Sequence, residues 1–398
     1  MMRISTLSFT RNSVNSLLDS QARLARTQNE VATGVRVRTP ADDPIAAARI
    51  SGLERALAES QQYARNASIV EIRLQTEEQA LADASAVLQR VRELAVQGSN
   101  ATVGAEERRM ITAELRTRID ELLSIANRTD GAGEYLFAGA ATGTQPFARG
   151  AGGVAYSGDD TVRFVKISAT QSIANAHSGE DVFMNVLSGN GTFTTRAAGA
   201  NTGSGVVDVG SVVNPAAWAR DSYTIRLTST TAYEVLDGAN NPISTGTYAS
   251  GNGIEFRGIR VSITGAPAAG DTFTVAPATR SDVFATLDTL VANFEASTAN
   301  DADKARFASV AGASLAGLDR AIDKLLDLRA EVGGRLSAID SANQTREAFE
   351  LELQSTTSEL RDVDYAEAVT RLNQQYAGLQ AAQAAYTKIA QLSLFDYL

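Results

Sequence analysis

Heptad-spaced side chains run through both ends of this chain, and a long stretch of different character separates them. In the first 35 residues Val14, Leu17, Gln21, Leu24, Gln28 and Val31 step by three and four. The last 35 repeat the spacing with Tyr365, Val369, Leu372, Tyr376, Leu379, Gln383, Tyr386, Ala390 and Ser393, with Ile389 and Leu392 beside the end of that seam. Residues 1–40 carry a net charge of +4 and residues 347–398 a net charge of −5. Opposite charge on two terminal helices of similar length favours their lying side by side, so the chain must return to where it began.

What lies between explains the return. Residues 131–281 hold 22 of the 31 glycines and five of the seven prolines, but only 20 of the 82 charged residues. Val162–Ile167, Tyr223–Leu227, Ile259–Ile263 and Thr272–Val275 alternate with a period of two, the pattern of half-buried strands. Asp237-Gly238 and Asn252-Gly253 are hairpin-type turn dipeptides.

The flanks are helical. From Pro44 to Gln97, Leu53, Leu57, Ala64, Ala67, Val70, Leu74, Leu81, Leu88, Val91 and Ala95 mark one face of a long helix, capped by Asp43 with Pro44 at its first position. Gly98, Asn100 and Gly104 break it, and a second helix covers Glu106–Arg128. The pattern returns through Leu287, Phe294, Phe307, Leu318, Leu325, Val332 and Ile339, where Gly333-Gly334 predicts a bend or break. The expected fold is α+β: a long coiled-coil bundle built from both chain ends, with an inserted antiparallel β domain. Its expected parts are terminal helices at 1–40 and 355–398, a helical bundle with a hairpin at 41–144 and 282–354, and a β-rich domain at 145–281.

Composition excludes much chemistry. Without cysteine there are no disulfides, thiolate metal sites or cysteine nucleophiles, and one histidine, His177, supports neither multi-histidine metal sites nor an obvious triad. A net charge of −10 suits phosphate backbones poorly, and the 32 arginines against four lysines are scattered among acids. No run of about 18 apolar residues predicts membrane insertion, and the first residues lack the apolar core of a secretory signal. His177 reads as a surface loop residue, Asp159-Asp160 as a turn, Trp218 as β-domain core, and the Gly-Xaa-Gly fragments as loops rather than phosphate cradles. No enzymatic activity and no cofactor are expected.

Ordering some 60 terminal residues costs more conformational entropy than one thin seam returns, so the ends are expected to be loose in the monomer and to order when neighbouring subunits cover their other faces. Gln21, Gln28 and Gln383 would then set register. Periodicity alone also suits simple coiled-coil dimerisation or core packing.

Several segments resemble the bacterial flagellin and hook-associated axial protein family. Thr33–Pro44, Leu88–Gln97 with Asn100-Ala101-Thr102, Arg329–Leu336 and Asp362–Ala368 are similar to that family's helical motifs and occur in its order. Gly133–Gly139, Thr144–Phe147, Tyr156–Asp159, Gly179–Phe183 and the final Leu394–Leu398 look like its hook–filament junction members. The segment Tyr223–Pro277 departs from them and is similar to material in hook-associated protein 1.

The resemblance implies a structural subunit exported through the flagellar type III apparatus to the extracellular flagellum. It implies self-association in a ring, with hook-associated protein 1 and flagellin as neighbours. The implied polymerisation seam is Val14, Leu17, Leu24, Val31, Val369, Leu372, Tyr376, Leu379, Tyr386, Ile389 and Leu392. A flagellar export chaperone is expected on Val369, Leu372 and Leu379. A filament-forming flagellin, a subunit like hook-associated protein 1, and an exported adhesin are the other readings.

Overall fold

The computed structural model of the chain describes residues 6–391 other than 101 and 297, with side chains described over 11–388. Six α-helices are described: α1 (Thr6–Thr33), α2 (Pro44–Gly98), α3 (Ala105–Ala126), α4 (Val283–Glu295), α5 (Asp301–Arg361) and α6 (Tyr365–Gln391). All the described strands fall between α3 and α4. Two compact units divide at 65/66 and 341/342, inside α2 and α5.

The unit of residues 66–341 contains the β region. Its larger sheet has the strand order 242–247, 232–236, 223–229, 272–277, 193–197, antiparallel throughout. A second sheet pairs 253–256 with 259–264, whose other edge takes the short strands 206–207 and 211–212. Alternate residues of both sheets (Tyr223, Ile225, Leu227 and Phe273 from one; Ile254, Ile259, Val261 and Ile263 from the other) meet in one core, with Trp218 half-buried against it. The 256–259 hairpin closes through Arg257 (φ 45°) and Gly258 (φ 78°), the two positive φ values of a type I′ turn.

Next to the helices Phe137, Phe147, Phe183 and Phe284 form a fully buried cluster with ring centroids 5.5–5.9 Å apart. Tyr156 joins it at 5.0 Å from Phe147, and burial pushes its phenol up to about 12. Its hydroxyl donates to the carbonyls of Asp159 (2.7 Å) and Phe137 (3.1 Å).

Two expectations fail here. Helix α5 runs unbroken through Gly333-Gly334. Each glycine forgoes about 1 kcal/mol of helix propensity, and flanking turns packed through Leu328, Val332 and Ile339 outweigh that. The second is His177, which is buried. Glu77 on α2 lies 100 residues away in sequence, and its Oε1 accepts the His177 backbone N–H at 2.9 Å and lies 2.8 Å from ring Nδ1. Arg335 on α5 lies 2.9 Å from ring Nε2, with the Glu331 carboxylate 3.4 Å from the same nitrogen. The carboxyl of Glu331 is raised by burial but brought below its ordinary value by Arg335 and His177.

Candidate polymerisation interface

The other unit, residues 1–65 and 342–398, places the two chain ends together. Here α2 and α5 pair through Ala46, Ile50 and Ser60 on one side and Glu350, Leu353 and Leu360 on the other, with Ser60 donating to Glu350 at 2.7 Å. At the base of α2, Asp43 accepts the N–H groups of Ile45 and Ala46 at 3.1 and 3.0 Å, the capping read from the sequence.

A backbone clamp then fixes α1 to α6. Arg36 and Val37 donate to the carbonyl of Arg361 at 2.7 and 3.2 Å, and Val363 donates back to Gly34 at 2.9 Å. Gly34 has φ +72° and faces Tyr365 closely, a geometry that favours glycine. The two helices leave the clamp antiparallel, and Arg371 on α6 reaches Glu30 on α1 at 3.1 Å. That ion pair runs from an acid on the basic helix to a base on the acidic one, opposite to the sense the net charges suggest.

The helices meet along a heptad, but in a different register from the one read in the sequence. Besides the half-buried Glu30–Arg371 pair, the buried and half-buried positions of α1 are Ser13, Leu17, Ser20, Leu24, Thr27 and Val31, and those of α6 are Ala368, Leu372, Gln375, Leu379, Ala382 and Tyr386. Leu17, Leu24, Val31, Leu372, Leu379 and Tyr386 therefore belong to the intrachain seam. Val14, Val369 and Tyr376 do not; they stand exposed on its flank, together with Leu18, while Tyr365 caps the seam's end beside Gly34. Gln21, Gln28 and Gln383 are also exposed and set no register between these two helices; Ser13, Ser20, Thr27 and Gln375 occupy the polar seam positions. The Ile389 side chain and the whole of Leu392 lie outside the described residues.

Small side chains let the backbones approach, so the tighter stripe wins the seam and the bulkier aromatic stripe is left outside. A second heptad of Ser, Thr and Ala was the available signal for it. In an antiparallel pair, flanks on the same rotational side of each seam share one face. Val14 and Leu18 thus lie on the same face of the pair as Val369 and Tyr376, and all four are exposed. Leu18 is 56% and Tyr376 54% exposed.

Among the described residues no cluster of three metal-ligating side chains occurs, and no helix is long and apolar enough to cross a membrane. Asp159 braces a turn: the N–H of Ala140 and then that of Thr161 hold its carboxyl below the ordinary range.

Residues 4–142 match the model of the bacterial flagellin N-terminal helical region, and residues 315–398 that of the C-terminal helical region. The crystal structure of Xanthomonas campestris FlgL is 37% identical, covering 77% of this chain and 99% of that one with a TM-score of 0.73. This chain belongs to the FlgL family. Flagellar hook-associated protein 3 of Escherichia coli is 25% identical over 396 residues, 99% of both chains. That alignment takes in the 223–277 segment. A flagellar hook-associated protein 3 from Legionella pneumophila is 28% identical, covering 78% of this chain and 98% of that one with a TM-score of 0.75. Flagellin from Listeria monocytogenes, by contrast, is 30% identical over only 129 residues, 32% of this chain. The hook-associated protein 3 match therefore runs over three times as much of this chain as that flagellin match does.

Proposed function

We propose that this chain is the structural subunit of the flagellar hook–filament junction, polymerising axially through α1 and α6. The observation that carries the reading is the uncovered face of the terminal pair: Val14, Leu18, Val369 and Tyr376 stay in water after the two helices have formed their own seam. A second copy laid on that face removes large apolar side chains from water at roughly 1.5–3 kcal/mol each. Length matching over the whole of the Escherichia coli relative supports a junction subunit over a filament-forming flagellin.

In this role copies associate in a ring between hook-associated protein 1 and the first flagellin layer, outside the cell, after export through the flagellar type III apparatus. Before export the same C-terminal helix offers Val369 from the exposed face, and Leu372 and Leu379 once α1 is displaced, to an export chaperone. The work of such a subunit is mechanical, not enzymatic.

Deleting the protein and scoring cells by electron microscopy and by flagellin in the medium tests this. Hooks without filaments, with flagellin shed into the medium, are expected. Hooks with neither filament nor shed flagellin would make the chain the flagellin, and normal filaments would overturn both readings.

A further inference from the structure

Two more exposed stripes remain on the long helices, away from the terminal pair. On α2, Ile69 and Ile72 are 68% and 60% exposed. The hairpin of strands 164–166 and 172–174 lies against this stretch, because Asn66 donates to the Lys166 carbonyl at 2.8 Å. Phe164 of that hairpin is 68% exposed, so large apolar side chains stand in water on both the helix and the hairpin bonded to it. Lys166 borders them, exposed and without an ion-pair partner among the described residues.

The C-terminal part of α5 carries the opposite chemistry. Phe349, Glu352 and Glu359 fall at heptad spacing on one stripe of the helix, with Phe349 one turn before the buried Leu353, and all three are exposed. Neither carboxylate has an ion-pair partner among the described residues.

We infer that the Ile69/Ile72/Phe164 patch with Lys166 receives the Phe349/Glu352/Glu359 stripe of a second copy. The inference rests on the junction-subunit reading above. The occupant follows from complementarity: one surface is apolar with a free cation at its edge, and the other offers an aromatic ring flanked by free carboxylates. Every copy carries both surfaces, so the contact is heterologous, and repeated contacts of that type close a ring or propagate a helix. A lateral contact of this kind adds to the terminal seam without competing for it, since none of its residues is in α1 or α6.

The absence of native cysteine makes the test clean. Ile72→Cys and Glu352→Cys are introduced together and separately into the full chain, flagella are isolated, and disulfide formation is induced with a mild oxidant. The double variant is expected to give an intermolecular ladder that ends in ring-sized species, while each single variant gives none. Incorporation with no ladder overturns the lateral contact and leaves the junction reading standing. Absence of the unaltered chain from flagella overturns both.

If the double cysteine variant is not incorporated, a charge swap decides. Lys166→Glu should lower occupancy in flagella several-fold, and adding Glu352→Lys should restore it. Failure of the second change to restore occupancy overturns the contact.

Discussion

Glu77 Oε1 takes both the backbone N–H of His177, at 2.9 Å, and its ring Nδ1, at 2.8 Å. The carboxylate is completely buried, and its second oxygen has no hydrogen-bond partner. Through His177 it is linked to Arg335, so α2, the 175–178 loop and α5 are joined by one polar chain. Removing the imidazole takes a ring contact from a fully buried carboxyl and another from Arg335. His177→Ala should therefore cost about 3 kcal/mol of stability. Glu77→Gln, which keeps an acceptor, should cost about 1 kcal/mol. Urea midpoints measure both, and a His177→Ala variant as stable as the parent would show that the link contributes nothing.

Leu372 and Leu379 occupy the intrachain seam, with Leu379 nearly buried against α1. Replacing both by Asp should abolish incorporation into flagella while leaving the β region folded. Occupancy by immunoblot, with near-ultraviolet circular dichroism of Trp218 and its aromatic neighbours, separates the two effects. Normal incorporation would refute the seam.

Gly34 sits at φ +72° where α1 turns into the clamp. An alanine there pays about 1–2 kcal/mol for left-handed backbone, and its Cβ would meet the Tyr365 hydroxyl at 2.9 Å. Gly34→Ala should loosen α1 from α6, measured as faster amide exchange in α1. Gly34→Asn, which tolerates that backbone region better, should lose less. Equal exchange in all three chains would rule the turn out as a determinant.

Acid should loosen the clamp. Asp42 is held below 3.8 chiefly by the N–H of Thr39, and Asp362 chiefly by the Ser358 hydroxyl at 2.6 Å. A carboxyl depressed in the folded state contributes stability above its unfolded value, and that stability is lost as pH falls through the folded value. Asp282 has the opposite sign, since burial raises it, and protonation there relieves a cost. Amide exchange around residues 36–43 and 360–364 should therefore accelerate below about pH 4. Protection unchanged down to pH 2 would contradict this.

Limited proteolysis of the monomer should trim roughly 1–40 and 355–398 before the rest, because fraying rises where few side chains are buried. In α1 only Leu24 and Thr27 are buried among the described side chains, and in α6 only Ala368 and Leu379. Cleavage first in the 223–277 sheet would reverse the expected order.

Much of this architecture could be read from the chain because its signals are local. A period of 3.6 or 2, the Asp43-Pro44 helix start and the glycine-rich insert each act over a few residues, and the helices and main strands follow them. The same locality accounts for what was missed. Arg257-Gly258 closes a hairpin because both residues accept positive φ, a weaker dipeptide signal than Asn-Gly. Gly333-Gly334 stays helical because packing of the neighbouring turns outweighs propensity.

The seam shows where sequence stops. Leu17, Leu24, Val31, Leu372, Leu379 and Tyr386 are common to two overlapping heptads, one completed by Val14, Gln21, Val369 and Tyr376, the other by Ser20, Thr27, Ala368 and Gln375. Spacing determined that both ends are amphipathic helices, and composition that an inserted β region separates them. Which flank faces inward depended on how closely two particular backbones approach, and the burial of His177 on a carboxylate 100 residues earlier. Those are contacts between segments distant in sequence, with energies that no local pattern carries, so tertiary structure alone decided them.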